Sequence, residues 1–127
     1  MPAKPSLNSK RILYVEDNAD TGEMVRYLLA ASKYEVIVSD TVKEALEKAR
    51  DQGFGFYIID HALPDGHGMD LCKEIRKFDA KTPIIFCSGF ADDEHRKDAL
   101  DSGAQAFLAK PFDVTDLLNL IMRLATN

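Results

Sequence analysis

Short, unbroken apolar segments recur five times along the chain, and none of them alternates with polar residues. They lie at residues 12–15, 36–38, 56–59, 84–87 and 106–109. Continuous apolar runs rich in β-branched and aromatic residues are typical of strands that are buried on both faces of a sheet. The pattern therefore predicts five buried strands.

A segment with helical periodicity follows each apolar run, because apolar residues there recur at intervals of three and four. The first helix is predicted over about residues 18–32. A capping pattern from Thr41 to Glu44 begins the second helix, Gly53 ends it, and Asp113 is the predicted N-cap of the fifth. The predicted inward-facing residues are Met24, Leu28 and Leu29 in the first helix, Val42, Ala45, Leu46 and Ala49 in the second, Leu71, Cys72, Ile75 and Phe78 in the third, Ala99 and Leu100 in the fourth, and Val114, Leu117, Leu118, Ile121 and Ala125 in the fifth.

The alternation of strand and helix predicts one α/β domain with a parallel sheet and helices on both of its faces. The 127 residues are enough for a single domain, which we place at residues 10–127. Residues 1–9 contain two prolines and no apolar periodicity, so they are predicted to form a mobile N-terminal tail.

Charge and composition exclude several classes of protein. The chain has 16 basic and 21 acidic residues and a formal net charge of −5, which disfavours direct binding to nucleic acid or to anionic membranes. No apolar run approaches the about 20 residues that a membrane span needs. Two cysteines form neither a disulfide framework nor a zinc site, so we predict a protein of the reducing cytoplasm.

Polar residues of a chemically useful kind follow four of the five predicted strands. The first strand is followed by Glu16 and Asp17, the third by Asp60, the fourth by Ser88 and the fifth by Lys110. In open α/β sheets, sites form outside the carboxyl ends of the strands. Converging carboxylates repel one another unless a cation joins them, and hard oxygen ligands suit magnesium. Together with a lysine and a hydroxyl, they predict a site where a carboxylate accepts a phosphoryl group.

As a set, these residues resemble the receiver domain of two-component response regulators. The resemblance extends from Lys10 to the C-terminus and includes the sequence Leu-Pro-Asp-Gly-His-Gly at 63–68 and Lys-Pro-Phe at 110–112. It implies a flavodoxin-like (βα)5 fold, doubly wound, with strand order 2-1-3-4-5. It also implies a stand-alone, single-domain signalling protein.

The resemblance assigns a role to each acidic residue. Asp60 would be the phosphoacceptor, which takes the phosphoryl group from a sensor histidine kinase or a histidine phosphotransfer protein in a magnesium-dependent reaction. The metal ligands would be Asp17, Asp60, the backbone carbonyl of Ala62, and Glu16 acting largely through water. Such a phosphoprotein of a phosphorelay is not a turnover enzyme, although autodephosphorylation is left open.

The resemblance also implies a switch. Ser88 and Lys110 would contact the phosphoryl oxygens, Phe107 would be the aromatic switch residue, and the bond to Pro111 would be a cis peptide. Phosphorylation would then alter the surface of the fourth helix, fifth strand and fifth helix, and so control the binding of an unknown downstream protein. Phe107 replaces the commoner tyrosine, so its inward position would depend on burial alone.

Several alternatives stay open at this point. The chain could be a receiver-like protein-binding module that works without phosphorylation, and it could be a monomer or a weak homodimer. An aspartate-nucleophile phosphatase is disfavoured, because Asn18 and Ala19 follow the first acidic pair where that family has a second acid. His67 and His95 are predicted surface residues, whereas His61 is interpreted as a solvated loop residue whose role, if any, is undecided.

Overall fold

Five parallel strands, each followed by a helix, form the fold of residues 10–125, which are the residues that the computed structural model describes. The strands of the main sheet are β1 Arg11–Val15, β2 Glu35–Ser39, β3 Phe56–Asp60, β4 Ile84–Ser88 and β5 Ala106–Ala109. The helices are α1 Ala19–Ala30, α2 Val42–Asp51, α3 Gly68–Arg76, α4 Asp93–Asp101 and α5 Val114–Ala125. With the strands of this sheet numbered in chain order, the sheet order is 2-1-3-4-5. The flavodoxin-like (βα)5 prediction is confirmed, whereas the tail predicted at 1–9 lies outside the described residues.

The sheet separates two apolar cores. Alternate residues of β1 point to opposite faces, so Leu13 packs in the core beneath α2, α3 and α4, and Ile12 packs in the core beneath α1 and α5. All five residues of β3 are buried. The apolar runs of β1, β3 and β4 therefore reflect burial on both faces, whereas the prediction of fully buried strands is wrong for the edge strands β2 and β5, which are only partly buried. None of the described helices combines the length and the apolar character that crossing a membrane requires.

The buried face of α1 differs from the predicted one. Val25 and Leu29 are fully buried, but Met24 is 52% and Leu28 is 41% exposed. Met24 and Leu28 each precede a buried residue by one position, which turns them about 100° around the helix axis. They line a groove between α1 and the start of α5, together with Phe112. Of the three residues of α1 predicted to face inward, the prediction is confirmed for Leu29 and wrong for Met24 and Leu28.

Three further predictions of inward-facing residues are wrong. Phe78 lies beyond the end of α3, is 37% exposed, and has the guanidinium of Arg50 over its ring at 5.4 Å. Leu100 is 47% exposed, because Ala99 occupies the position of α4 that faces the sheet. Ala125, at the last position of α5, is also exposed. Asp113 accepts a hydrogen bond from the Asp116 N–H at 2.9 Å, so the predicted N-cap of α5 is confirmed.

A short antiparallel hairpin follows β3 and pairs residues 62–63 with residues 66–67. At its turn, the carboxylate of Asp65 accepts hydrogen bonds from the backbone N–H groups of Val42 at 2.7 Å and Lys43 at 3.1 Å. These two donors lower the pKa of Asp65. Because the first N–H groups of a helix have no partner within it, Asp65 caps α2 from a distant loop, alongside the N-cap Thr41.

Candidate functional site

Three carboxylates converge at the carboxyl end of the sheet. β1 pairs with β3 so that Val15 lies opposite Ile59, and the next residues, Glu16 and Asp60, therefore emerge side by side. One oxygen from each of Glu16, Asp17 and Asp60 lies within 4.8 Å of the others. Glu16 and Asp60 are only 4% and 7% exposed, whereas Asp17 is exposed. The cluster is thus buried at its base and accessible at Asp17.

Lys110 supplies a positive charge to this cluster from the end of β5. Its Nζ atom contacts Oδ1 of Asp60 and lies 3.2 Å from Oε1 of Glu16. Burial works against the charge of the ammonium group, but the hydrogen bonds and charges of Asp60 and Glu16 raise the pKa of Lys110 overall. The lysine is therefore charged and neutralises part of the negative charge. The peptide bond that joins it to Pro111 is cis.

Strand register also brings Ser88 to the same edge of the sheet. Asp60 pairs with Cys87, and Ser88 pairs with Ala109, so Ser88 sits at the level of Asp60 and Lys110. Its side chain is buried, and its Oγ atom accepts a hydrogen bond from the Phe90 N–H at 3.0 Å. The hydroxyl can both donate and accept hydrogen bonds, and the strand register places it beside the carboxylate cluster.

The two other predicted site residues, Phe107 and Ala62, lie on β5 and at the start of the hairpin. Phe107 is half-buried on β5, with its ring centroid 6.1 Å from that of Phe86 and the guanidinium of Arg96 over the ring, 4.9 Å from its centroid. Ala62 is exposed at the start of the hairpin, two residues after Asp60. Of the predicted site residues, the structure thus brings Glu16, Asp17, Asp60 and Lys110 together directly, with Ser88 adjacent.

Two contacts hold the Glu16 carboxylate that the sequence patterns do not predict. The hydroxyl of Tyr14 donates to Oε1 of Glu16 at 3.2 Å, and the backbone N–H of Asn18 donates to Oε2 at 3.3 Å. The apolar run at 12–15 predicts Tyr14 only as a buried strand residue. The sequence signal for this contact is the spacing of Tyr14 and Glu16, because residues two apart in a strand point to the same side.

The interpretation of His61 as a solvated loop residue is correct for the loop but wrong for its solvation, because the residue is half-buried. Its Nδ1 atom is buried and has no hydrogen-bond partner among the described residues. Its ring packs 5.3 Å from that of Phe90, which in turn stacks at 5.3 Å on His95. Burial lowers the pKa of His61 despite the opposing charge of Asp60. His95 is half-buried and lies 2.8 Å from the carboxylate of Asp92, so it is not simply a surface residue, whereas His67 is exposed as predicted.

The donor set fits a small divalent cation. Three carboxylates share one nearby ammonium group, so the cluster keeps a net negative charge that a cation can neutralise. A cleft of about 260 Å³ opens beside Glu16 and Asp17, and its wall includes the further acids Asp40 and Glu44. Magnesium keeps several waters and needs few carboxylates, which suits a half-open oxygen site of this kind.

The fold and this site together define a doubly wound α/β protein with an acidic, lysine-containing centre, and comparisons identify its family. Residues 12–122 match the model of the response regulator receiver domain. The response regulator ArlR of Staphylococcus epidermidis is 33% identical over 107 residues, which are 84% of this chain and 48% of ArlR. The chain thus spans about half the length of ArlR and of several other curated relatives that it matches.

Two solved structures agree with this match. A CheY-like response regulator receiver domain protein from Methanospirillum hungatei is 32% identical, with a TM-score of 0.86 over 94% of each chain. The receiver domain of the sensor histidine kinase PA1611 from Pseudomonas aeruginosa is 28% identical, with a TM-score of 0.85 over 93% of this chain and 98% of that one, and it has magnesium coordinated in its active-site cleft. The chain therefore belongs to the response regulator receiver domain family of two-component signalling.

Proposed function

We propose that this chain is a phosphorylatable receiver in which Asp60 accepts a phosphoryl group from a histidine kinase or a histidine phosphotransfer protein. One observation carries the proposal: Lys110 contacts Asp60, while oxygens of Glu16 and Asp17 lie within 4.8 Å of an Asp60 oxygen. A carboxylate with a fixed cation on one side and a cation-binding acid pair on the other is placed to act as a nucleophile toward phosphorus.

The transfer makes one bond and breaks one bond. An Asp60 carboxylate oxygen attacks the phosphorus, and the bond from phosphorus to the imidazole nitrogen of the donor breaks, so the imidazole leaves with the electron pair. Lys110 and the Ser88 hydroxyl donate hydrogen bonds to the phosphoryl oxygens. Magnesium, held by Asp17, Asp60, the Ala62 carbonyl and Glu16 through water, would neutralise charge on those oxygens. The magnesium in the cleft of the PA1611 receiver supports this assignment.

The phosphoryl group stays on the protein, so the chain is a phosphoacceptor and not a turnover enzyme. The test is incubation with acetyl phosphate, with and without Mg²⁺, followed by intact-protein mass spectrometry. We expect the mass of one phosphoryl group to be added only when Mg²⁺ is present. An unlabelled chain at saturating donor and metal would contradict the proposal and favour the alternative, a receiver-like module that binds its partner without phosphorylation.

We also propose that phosphorylation is communicated to the surface formed by α4, β5 and α5. Phe107 is half-buried, and its ring contacts both the ring of Phe86 and the guanidinium of Arg96. Once the Ser88 hydroxyl turns toward a phosphoryl group, the Phe107 ring moves inward and leaves Arg96. Phe107 has no hydroxyl that could form a hydrogen bond. The cation–π contact of its ring with Arg96 is therefore the polar interaction that opposes this movement.

Replacement of Arg96 with methionine tests the switch. An exposed cation–π contact is worth about 0.5–1 kcal/mol, so Arg96→Met should tighten binding of beryllofluoride, a phosphoryl mimic, by about two- to fivefold. The affinity can be measured by titration followed by NMR. The matched control is Lys97→Met on the same helix, because Lys97 pairs with Asp101 and should leave the affinity unchanged. Equal effects of the two substitutions would exclude a specific role for Arg96.

The net charge and the two cysteines of the chain bear on its partner and its location. The formal net charge of −5 favours a downstream protein over nucleic acid as the partner. Both cysteines, Cys72 and Cys87, are free and buried, which supports a reducing, cytoplasmic location. We propose a monomer or a weak homodimer, which sedimentation of the chain with and without beryllofluoride would distinguish.

A further inference from the structure

We propose that Tyr14 is a positioning residue for the magnesium site and acts by holding the Glu16 carboxylate in one orientation. This inference rests on the proposed function, because it concerns the same acidic cluster. Tyr14 lies on β1, two residues before Glu16, and its side chain is fully buried beneath the cluster. It has no contact with solvent, and its hydroxyl is hydrogen-bonded to Glu16, so we expect its effect on the site to pass through Glu16.

The hydrogen bonds of Glu16 divide between its two oxygens. Oε1 accepts from the Tyr14 hydroxyl at 3.2 Å and from Nζ of Lys110 at 3.2 Å. Oε2 accepts from the backbone N–H of Asn18 at 3.3 Å. Carboxylate oxygens accept about two hydrogen bonds each, so Oε1 is saturated and Oε2 keeps a lone pair for a water molecule of the metal shell. The three donors thus fix which oxygen faces the cation.

Tyr14 differs from Lys110 in that it has a single acceptor. Lys110 contacts both Asp60 and Glu16, and its ammonium group can turn toward a phosphoryl group when one arrives. The Tyr14 phenol is anchored in the sheet and stays with Glu16.

A purely structural role is the competing explanation, since buried hydroxyls generally require an acceptor. The chain contains a matched comparison in Tyr57. It is also fully buried, and its hydroxyl donates to Oδ2 of Asp79 at 3.3 Å, but it packs in the core on the opposite face of the sheet from Tyr14. If removal of a buried phenol hydroxyl acts only on stability, Tyr14→Phe and Tyr57→Phe should behave alike.

The experiment compares Mg²⁺ binding by the unmodified chain, Tyr14→Phe and Tyr57→Phe, measured by titration calorimetry and NMR. Removing an outer-shell partner of a metal ligand typically weakens metal binding by about 10–100-fold. Because Glu16 acts through water and two other donors still hold it, we expect Tyr14→Phe to weaken Mg²⁺ binding several-fold, by less than the about tenfold at the lower end of that range. Tyr57→Phe should bind Mg²⁺ as the unmodified chain does. Equal affinities for all three chains would overturn the inference.

A double-mutant cycle tests whether Tyr14 acts through Glu16. In a Glu16→Gln background, Tyr14→Phe should cause no further loss of Mg²⁺ affinity, and an undiminished loss there would refute the proposed route. Fluorotyrosine incorporation provides a measurement without substitution: the ¹⁹F signal of residue 14 should shift on Mg²⁺ addition while that of residue 57 stays constant. A static signal at residue 14 contradicts the inference. Absence of Mg²⁺ binding by the unmodified chain would instead contradict the proposed function.

Discussion

Asp60→Asn is expected to abolish the Mg²⁺-dependent addition of a phosphoryl group from acetyl phosphate. The amide that replaces the carboxylate is a poor nucleophile and carries no charge for Lys110 or a cation to neutralise. We expect Glu16 not to take over, because hydrogen bonds from Tyr14, Asn18 and Lys110 hold its carboxylate in place. Intact-protein mass spectrometry after incubation with donor and Mg²⁺ measures the result, and we expect labelling to fall to background.

Asp65→Asn is the control for this experiment. Asp65 lies five residues after Asp60, within the 63–68 motif. Its carboxylate accepts hydrogen bonds from the N–H groups of Val42 and Lys43 at the start of α2. We expect this variant to be labelled as fully as the unmodified chain and to unfold at a somewhat lower temperature. Labelling of Asp60→Asn at the level of the unmodified chain, or loss of labelling in Asp65→Asn, would contradict the assignment of Asp60 as the phosphoacceptor.

The strands and the main site were predictable from the sequence for one physical reason. Strands buried on both faces must be apolar throughout, so their ends are marked sharply by the first charged residue, as at Asp60. Parallel strands then bring those ends to one edge of the sheet. The convergence of Glu16, Asp60 and Lys110 therefore follows from where each apolar run stops.

Side-chain contacts that depend on rotation about a helix or on distant loops were not predictable in this way. The buried face of α1 is shifted by one residue from the predicted face. Leu28 and Leu29 have the same side chain, so the sequence does not show which of them is buried. The cap that Asp65 provides to α2 joins segments more than 20 residues apart. His61 is half-buried, and its ring packs against Phe90 and His95, which belong to the loop and the helix that follow β4.

The glycine at the end of the 63–68 motif shows how closely the site depends on packing. Gly68 begins α3, and its backbone N–H donates to the carbonyl of His61 at 2.9 Å. A Cβ atom at this position would lie 2.1 Å from the backbone oxygen of Asp60 and 2.9 Å from the ring of Phe86. Asp60 ends a central strand, so its backbone has little freedom to retreat.

Gly68→Ala is therefore expected to lower the free energy of unfolding by about 1–3 kcal/mol or more, the usual cost of forcing extra volume into a packed core. Alanine is the better helix former by about 1 kcal/mol, which offsets only part of this cost. Gly89→Ala is the matched control, because a Cβ atom there has no neighbour within 4 Å. Urea denaturation followed by circular dichroism compares the two variants with the unmodified chain. If Gly68→Ala proved as stable as Gly89→Ala, the close approach of α3 to the Asp60 backbone would be wrong, and with it the rigid placement of the carboxylate that the phosphoryl transfer requires.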